Sequence, residues 1–122
     1  MYRLNVRTNF SAAHQLRGYN GACQRLHGHN WQVRVSIKCS KLNELGMAID
    51  FTIIKKYLDS LMNEVDHRFL NDLEPFKNIN PTSENIAKYF YERLSEMIEE
   101  EECSVDEIEV WESEKSSVIY SK

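Results

Sequence analysis

The sequence predicts an α+β domain in which one antiparallel four-stranded sheet carries two helices on a single face. Three observations carry that expectation: apolar residues alternate with polar ones near both ends of the chain, they recur at three- and four-residue spacing in between, and the resulting order is β-β-α-α-β-β. Tyr2, Leu4, Val6 and Phe10 alternate with Arg3, Asn5 and Arg7, which predicts a first strand over 2–10 with one buried face. After an irregular stretch containing Gly18 and Gly21, Trp31, Val33, Val35, Ile37 and Cys39 alternate with Asn30, Gln32, Arg34, Ser36 and Lys38, a second strand over about 29–39. Asp50 is a helix N-cap ahead of Phe51, Ile54, Tyr57, Leu58, Leu61, Met62 and Val65, an apolar stripe at helical spacing. A loop rich in Asn and Pro spans 72–81, and Thr82 or Ser83 then caps a second helix with the stripe Ile86, Ala87, Phe90, Leu94, Met97 and Ile98. Ile108 and Val110 begin a third strand near 107–112, and Val118 to Tyr120 supply a fourth after the polar turn 113–117. Such a sheet leaves two edges, and pairing of edges between subunits would close it.

With 122 residues, 42% hydrophobic and 28% charged, the whole chain 1–122 reads as a single globular domain able to bury a core unaided. No apolar run approaches the eighteen or so residues of a membrane span, and the start MYRLNVRTNF lacks the apolar core of a signal peptide, so the expected location is cytoplasmic with no membrane partner. Three cysteines at wide spacing fit neither a disulfide framework nor paired zinc knuckles, and Cys23, Cys39 and Cys103 are expected to be free thiols, the latter two small buried hydrophobes. The net charge of −4 argues against nucleic acid as a partner. That average hides a polarity. Residues 1–43 hold seven basic residues and no acid, so that half could receive an anion, whereas 96–114 hold ten acidic residues and no base, read as a solvated face.

Chemistry concentrates in Cys23-Gln24-Arg25-Leu26-His27-Gly28-His29, just before the second strand. In extended backbone His27 and His29 point to one face, the face of Trp31 and Val33, while Gly28 lets the backbone bend toward a ligand. His14, just past the first strand, is the third candidate. Three neutral imidazoles with an open fourth position form a recognised catalytic zinc arrangement, compatible also with other divalent metals that bind imidazole. Cys23, four residues before His27, would be favoured as thiolate near a cation, the form a nucleophile or base needs. Asp66-His67 follows the first helix, where a carboxylate can hold an imidazole in one tautomer for proton exchange. Glu112 continues the face of Ile108 and Val110, and its carboxylate suits a ligand presenting adjacent N–H donors.

These residues resemble the 6-pyruvoyl-tetrahydropterin synthase family, and within it the 6-carboxy-5,6,7,8-tetrahydropterin synthase branch of queuosine and 7-deazapurine synthesis. Phe10-Ser11-Ala12-Ala13-His14, Cys-x-x-x-His-Gly-His over 23–29, Asp66-His67, Pro81-Thr82-Ser83-Glu84-Asn85 and Trp111-Glu112-Ser113 occur in the family's order, supported by Gly46-Met47-Ala48-Ile49-Asp50-Phe51 and Leu70-Asn71-Asp72. The resemblance covers essentially the whole chain. It implies a tunnelling fold whose subunits join their sheets into a barrel, as a homo-hexamer of two stacked trimers. It implies zinc on His14, His27 and His29, proton transfer by Cys23, Asp66 and His67, a pterin ring gripped by Glu112, and further pterin contacts from Thr82 and Ser83 across a subunit boundary. The implied reaction converts 7,8-dihydroneopterin triphosphate to 6-carboxy-5,6,7,8-tetrahydropterin with loss of triphosphate and acetaldehyde.

Three other readings are compatible with parts of this pattern: the 6-pyruvoyl-forming synthase, a dihydroneopterin side-chain lyase on the same scaffold, and a non-catalytic zinc- or pterin-binding protein. A metal hydrolase fits less well, because no acidic residue sits within the His27–His29 motif to act on water.

Overall fold

The structure, a computed structural model, describes residues 1–21 and 24–122. Two long strands dominate it: β1 (Tyr2–His14) and β2 (His27–Cys39) run antiparallel in unbroken register from the pair Tyr2 and Cys39 to the pair His14 and His27. Helix α1 (Phe51–Val65) follows, then the two-residue strand β3 (Arg68–Phe69), helix α2 (Ser83–Met97), and strands β4 (Cys103–Ser113) and β5 (Ser116–Tyr120). The sheet order is β3-β1-β2-β4-β5. Both helices begin as their capping residues dictate: Asp50 Oδ1 accepts the Thr52 N–H at 2.8 Å, and Thr82 Oγ1 accepts the Asn85 N–H at 3.1 Å. Their apolar stripes, including Ile54, Leu58, Leu61, Ile86, Phe90 and Leu94, form one core with the inward residues Val6, Phe10, Trp31, Val33, Val35, Ile37, Ile108 and Val110. Among the described residues no helix is long and apolar enough to cross a membrane.

The α+β class is as predicted, and the element order differs only by a short strand between the two helices. A fifth strand, β3, lies parallel to β1 through Ala12 and Ala13, so the sheet is mixed rather than purely antiparallel. Two residues carry no periodicity to read. β1 continues four residues further than predicted, through Ser11-Ala12-Ala13-His14, with Ala12 and His14 on the buried face. β4 begins at Cys103 because a bulge between Ser36 and Ile37 of β2, opposite Asp106, changes the parity of the inward face from Cys103 and Val105 to Ile108 and Val110. The second helix closes at Met97, before the acidic run, and the 72–81 loop is preceded and entered by short 3₁₀ turns at Leu70–Asp72 and Glu74–Phe76.

One expectation is corrected. Cys39 and Cys103 are joined as a disulfide rather than standing as free thiols. They are directly opposed partners of β2 and β4 with Cα atoms 4.2 Å apart; Cys39 continues the buried face of β2, and the extra residue Asp106 in β4 turns Cys103 to that same face. Four of the seven bases in the first half are also paired with acids rather than standing alone. Arg3 and Lys38 pair with Asp106, Arg34 bridges Glu107 and Glu109, and Lys41 pairs with Glu102, because β2 lies beside the acidic β4. Arg7 lies 5.2 Å over the Trp111 ring, and Arg17 donates to backbone carbonyls.

Candidate metal centre

The register of β1 on β2 builds the centre. Phe10 opposes Trp31, Ala12 opposes His29 and His14 opposes His27, so the face that buries Phe10 and Trp31 runs on without a change of parity into three imidazoles. Trp31, wholly buried, forms the floor: its ring lies 4.9 Å from that of His14 and 5.4 Å from that of His29, edge to face in both cases. At Gly28 an added Cβ would meet only the Ala12 carbonyl oxygen, at 3.9 Å, an ordinary contact, so the strand spacing there does not itself require glycine.

Second partners fix the imidazoles. His14 Nδ1 lies 2.7 Å from the Pro81 carbonyl oxygen and His27 Nδ1 lies 2.7 Å from that of Arg25. A carbonyl only accepts, so each Nδ1 carries the proton and each Nε2 is left with its lone pair. Those two Nε2 atoms face each other at 2.9 Å, an opposition of lone pairs that a cation between them relieves. His29 Nε2 is buried without a hydrogen bond, although it lies 2.8 Å from Glu112 Oε1, because the alignment is wrong for one. Burial pushes the His14 pKa down, toward the neutral form that a metal requires.

The three Nε2 atoms and Glu112 Oε1 lie within 4.8 Å of one another. Donors about 2.0–2.1 Å from a shared ion in a tetrahedron would stand roughly 3.4 Å apart. The His14–His27 separation of 2.9 Å and the distances of 2.8, 3.6 and 3.8 Å from the histidines to Glu112 Oε1 lie around that value, and a cluster of imidazoles with a carboxylate suits a divalent metal in its chemistry. Exposure is graded across it: the His14 side chain is 2% exposed, those of His27 and His29 26%, and that of Glu112 33%. The centre is anchored on one side and open on the other.

The sequence assigns Glu112 to substrate, and the structure places its Oε1 among the histidines and its Oε2 3.3 Å from Ser83 Oγ, which donates to it. Ser83 and Glu112 thus meet within one chain. Thr82 caps α2 beside them. Asp66 and His67 form a separate unit at the sheet edge. The Ser11 N–H donates to Asp66 Oδ1 at 2.8 Å and holds that carboxyl below the usual range, the His67 N–H donates to the Ser11 carbonyl, and His67 Nδ1 lies 3.0 Å from Asp66 Oδ2. His67 has φ 58°, a left-handed conformation that costs a non-glycine residue on the order of 1 kcal/mol. Its side chain is 82% exposed, and among the described residues no hydrogen bond or ion pair joins this dyad to the histidines. Cys23 lies outside the described residues.

Sequence reasoning missed the carbonyls of Pro81 and Arg25, which set the tautomers and leave no trace in side-chain identity. It also passed over Asn71 and Asn80, whose side-chain amides bind the main chain of Gln15 and Arg17; a pair of asparagines flanking a loop was the available signal.

Fold and site together define a class: an α+β protein with a mixed five-stranded sheet and a three-histidine, one-carboxylate centre at the end of its two central strands. Residues 3–122 match the family described as 6-pyruvoyl tetrahydropterin synthase. The chain is 42% identical over 93 residues to a 6-carboxy-5,6,7,8-tetrahydropterin synthase of Synechocystis sp., covering 72% of this chain and 70% of that protein. It is 34% identical over 98 residues to the protein of that name in Bacillus subtilis, covering 76% and 65%. The structure of the Caenorhabditis elegans 6-pyruvoyl tetrahydropterin synthase superposes with a TM-score of 0.89 and 28% identity over 99% of this chain and 95% of that one. The chain belongs to the 6-pyruvoyl tetrahydropterin synthase family, as its motifs imply.

Proposed function

We propose that the protein is a zinc-dependent lyase that converts 7,8-dihydroneopterin triphosphate to 6-carboxy-5,6,7,8-tetrahydropterin, with loss of triphosphate and acetaldehyde, in queuosine and 7-deazapurine synthesis. The observation that carries this reading is the convergence of His14, His27 and His29 with Glu112 at one open-sided centre, in a chain whose relatives from Synechocystis and B. subtilis bear that product's name. A bound zinc supplies Lewis acidity toward the oxygens of the substrate side chain and so lowers the pKa of the neighbouring C–H. Cys23 as thiolate takes that proton. Asp66 orients His67 through Nδ1 and leaves Nε2 to pass protons to and from the substrate. Glu112, open on one side, accepts the ring N–H and amino group of the pterin, with Ser83 and Thr82 beside it.

We further propose a homo-oligomer, a hexamer of two trimers. The sheet ends on a two-residue strand on one side and on β5 on the other, and Tyr2, Leu42, Met47 and Phe51 leave an apolar surface near the end of the sheet away from the histidines. A single domain acting in the cytoplasm on a small molecule accommodates all of these residues.

The test is mass spectrometry of products after anaerobic incubation with 7,8-dihydroneopterin triphosphate, beside a chelator-treated control. Metal-dependent 6-carboxy-tetrahydropterin with acetaldehyde is expected. A 6-pyruvoyl product, the activity named for the C. elegans protein, would keep the site roles and move the branch. Unchanged substrate with zinc-loaded protein would overturn the catalytic reading.

A further inference from the structure

One residue beyond β1, the main chain is held by side chains in the way a strand would hold it. The Gln15 N–H donates to Asn71 Oδ1 at 2.9 Å and Asn71 Nδ2 donates to the Gln15 carbonyl at 2.7 Å. Two residues on, the Arg17 N–H donates to Asn80 Oδ1 at 2.9 Å and Asn80 Nδ2 donates to the Arg17 carbonyl at 2.9 Å. Each amide therefore satisfies both polar groups of one backbone unit, which only a group that donates and accepts can do. The Arg17 guanidinium spans the connection between them, with Nη2 on the carbonyls of Asn71 at 3.3 Å and Phe76 at 3.0 Å and Nη1 on that of Ile79 at 3.3 Å.

These contacts flank one bond. His14 directly precedes Gln15, and Pro81 directly follows Asn80; His14 Nδ1 donates to the Pro81 carbonyl at 2.7 Å. The two partners of that bond are thus each one covalent step from an asparagine clamp. Apolar burial of Leu70 and Phe76 already secures the connection to the core, so its gross position needs neither amide. The Asn80 carbonyl also accepts from Asn85 Nδ2 at 2.8 Å and from the Thr82 N–H at 2.9 Å, so what the side-chain amides of Asn71 and Asn80 add is the tie from this connection to the main chain at Gln15 and Arg17, just past His14.

We propose that Asn71, Asn80 and Arg17 are positioning residues of the metal centre, holding the Pro81 carbonyl against His14 so that His14 Nε2 presents its lone pair to the ion. The inference rests on the metal reading of the histidine cluster. Asn80→Asp is the sharpest perturbation, because it keeps the volume and the acceptor and sets an oxygen against the Arg17 carbonyl. The full-length protein is measured in two ways: zinc affinity by competition with a chromophoric chelator, and the tautomer of His14 by nitrogen chemical shifts of labelled histidine in the metal-free state. Asn80→Asp and Asn71→Asp should each weaken zinc binding about 10- to 100-fold and convert His14 from one tautomer to a mixture. Tyr91→Phe, which removes the bond to the Val105 carbonyl far from the centre, should change neither readout. A folded Asn80→Asp protein with wild-type affinity and an unchanged His14 tautomer would overturn the proposal. If the aspartates do not fold, Arg17→Lys, which keeps the charge and loses the fork over three carbonyls, is judged by the same readouts. Wild-type protein that binds no zinc would refute the metal reading, and the tautomer comparison would still decide the positioning claim.

Discussion

Replacing Trp31 by Phe tests whether the core and the metal centre are one structure. Trp31 is wholly buried; its Nε1–H donates to the Ala12 carbonyl at 3.2 Å, its ring stacks on Phe10 at 5.7 Å, and it supports His14 and His29 from below. Losing the hydrogen bond costs about 1 kcal/mol. The smaller ring leaves a void on the order of 40 Å³, worth roughly 1 kcal/mol at ~24 cal/mol per Å³. The sum of about 2 kcal/mol corresponds to a fall in Tm of about 8 °C, taking an unfolding entropy of ~2.1 cal/mol/K for each residue of the chain. Urea and thermal denaturation of chelator-treated protein read the stability, and chelator competition reads zinc affinity, which should fall about tenfold as the two rings lose their support. A loss below about 0.5 kcal/mol, outside the range of a buried indole deletion, together with unchanged affinity, would refute the idea that the indole supports the site.

Three further outcomes follow from the same contacts. Zinc affinity should fall on acidification, because three imidazoles must be neutral to bind; a metal titration giving the same affinity at pH 5 and pH 8 would contradict the ligand set. The Asp66 carboxyl is held below its usual range by the Ser11 N–H, so its stabilisation is complete above the ordinary value of about 3.9 and is lost as pH falls through the lower folded value. The denaturation gap between wild type and Asp66→Asn should accordingly close on acidification, and a gap that persists at pH 2 would count against it. The Cys39–Cys103 bridge closes a loop of 64 residues, and reduction should cost roughly 4 kcal/mol by the chain-entropy relation; denaturation insensitive to a thiol reductant that has demonstrably opened the bridge would reject that estimate.

What the sequence reveals and hides follows from periodicity. Trp31 to Cys39 and Phe51 to Val65 announce themselves because a long run keeps one period. The last four residues of β1 do not, since Ser11, Ala12 and Ala13 are too small to show a buried face, although Ala12 and His14 lie on it. β4 is half legible because its bulge reverses parity at Asp106, and the same reversal brings Cys103 opposite Cys39, which is why two cysteines so far apart read as unpaired thiols. At the site, the i, i+2 pair His27 and His29 is visible in the letters, whereas the position of Glu112 beside them depends on how β4 ends, and the Pro81 carbonyl is a backbone atom with no letter of its own. The charge polarity of the chain is real but misleading in isolation, because the basic and acidic segments are neighbouring strands and neutralise each other.

The gradient of exposure across the centre ties the fold to its chemistry. A metal held by three histidines is catalytic only if one side of it is rigid and the other reachable. Rigidity here comes from the continuous face of β1 and β2, with Trp31 beneath and the Pro81 carbonyl against His14. The connection before α2 meets His14 through the Pro81 carbonyl, and His27, His29 and Glu112 are left partly open. That open side adjoins Arg25, whose carbonyl orients His27, and the sheet bases Arg3, Arg34, Lys38 and Lys41 are already committed to β4 and the acidic segment before it. The positive face that composition suggested is therefore largely paired with acidic neighbours, and the reachable side of the centre is the one where His27, His29 and Glu112 are partly exposed.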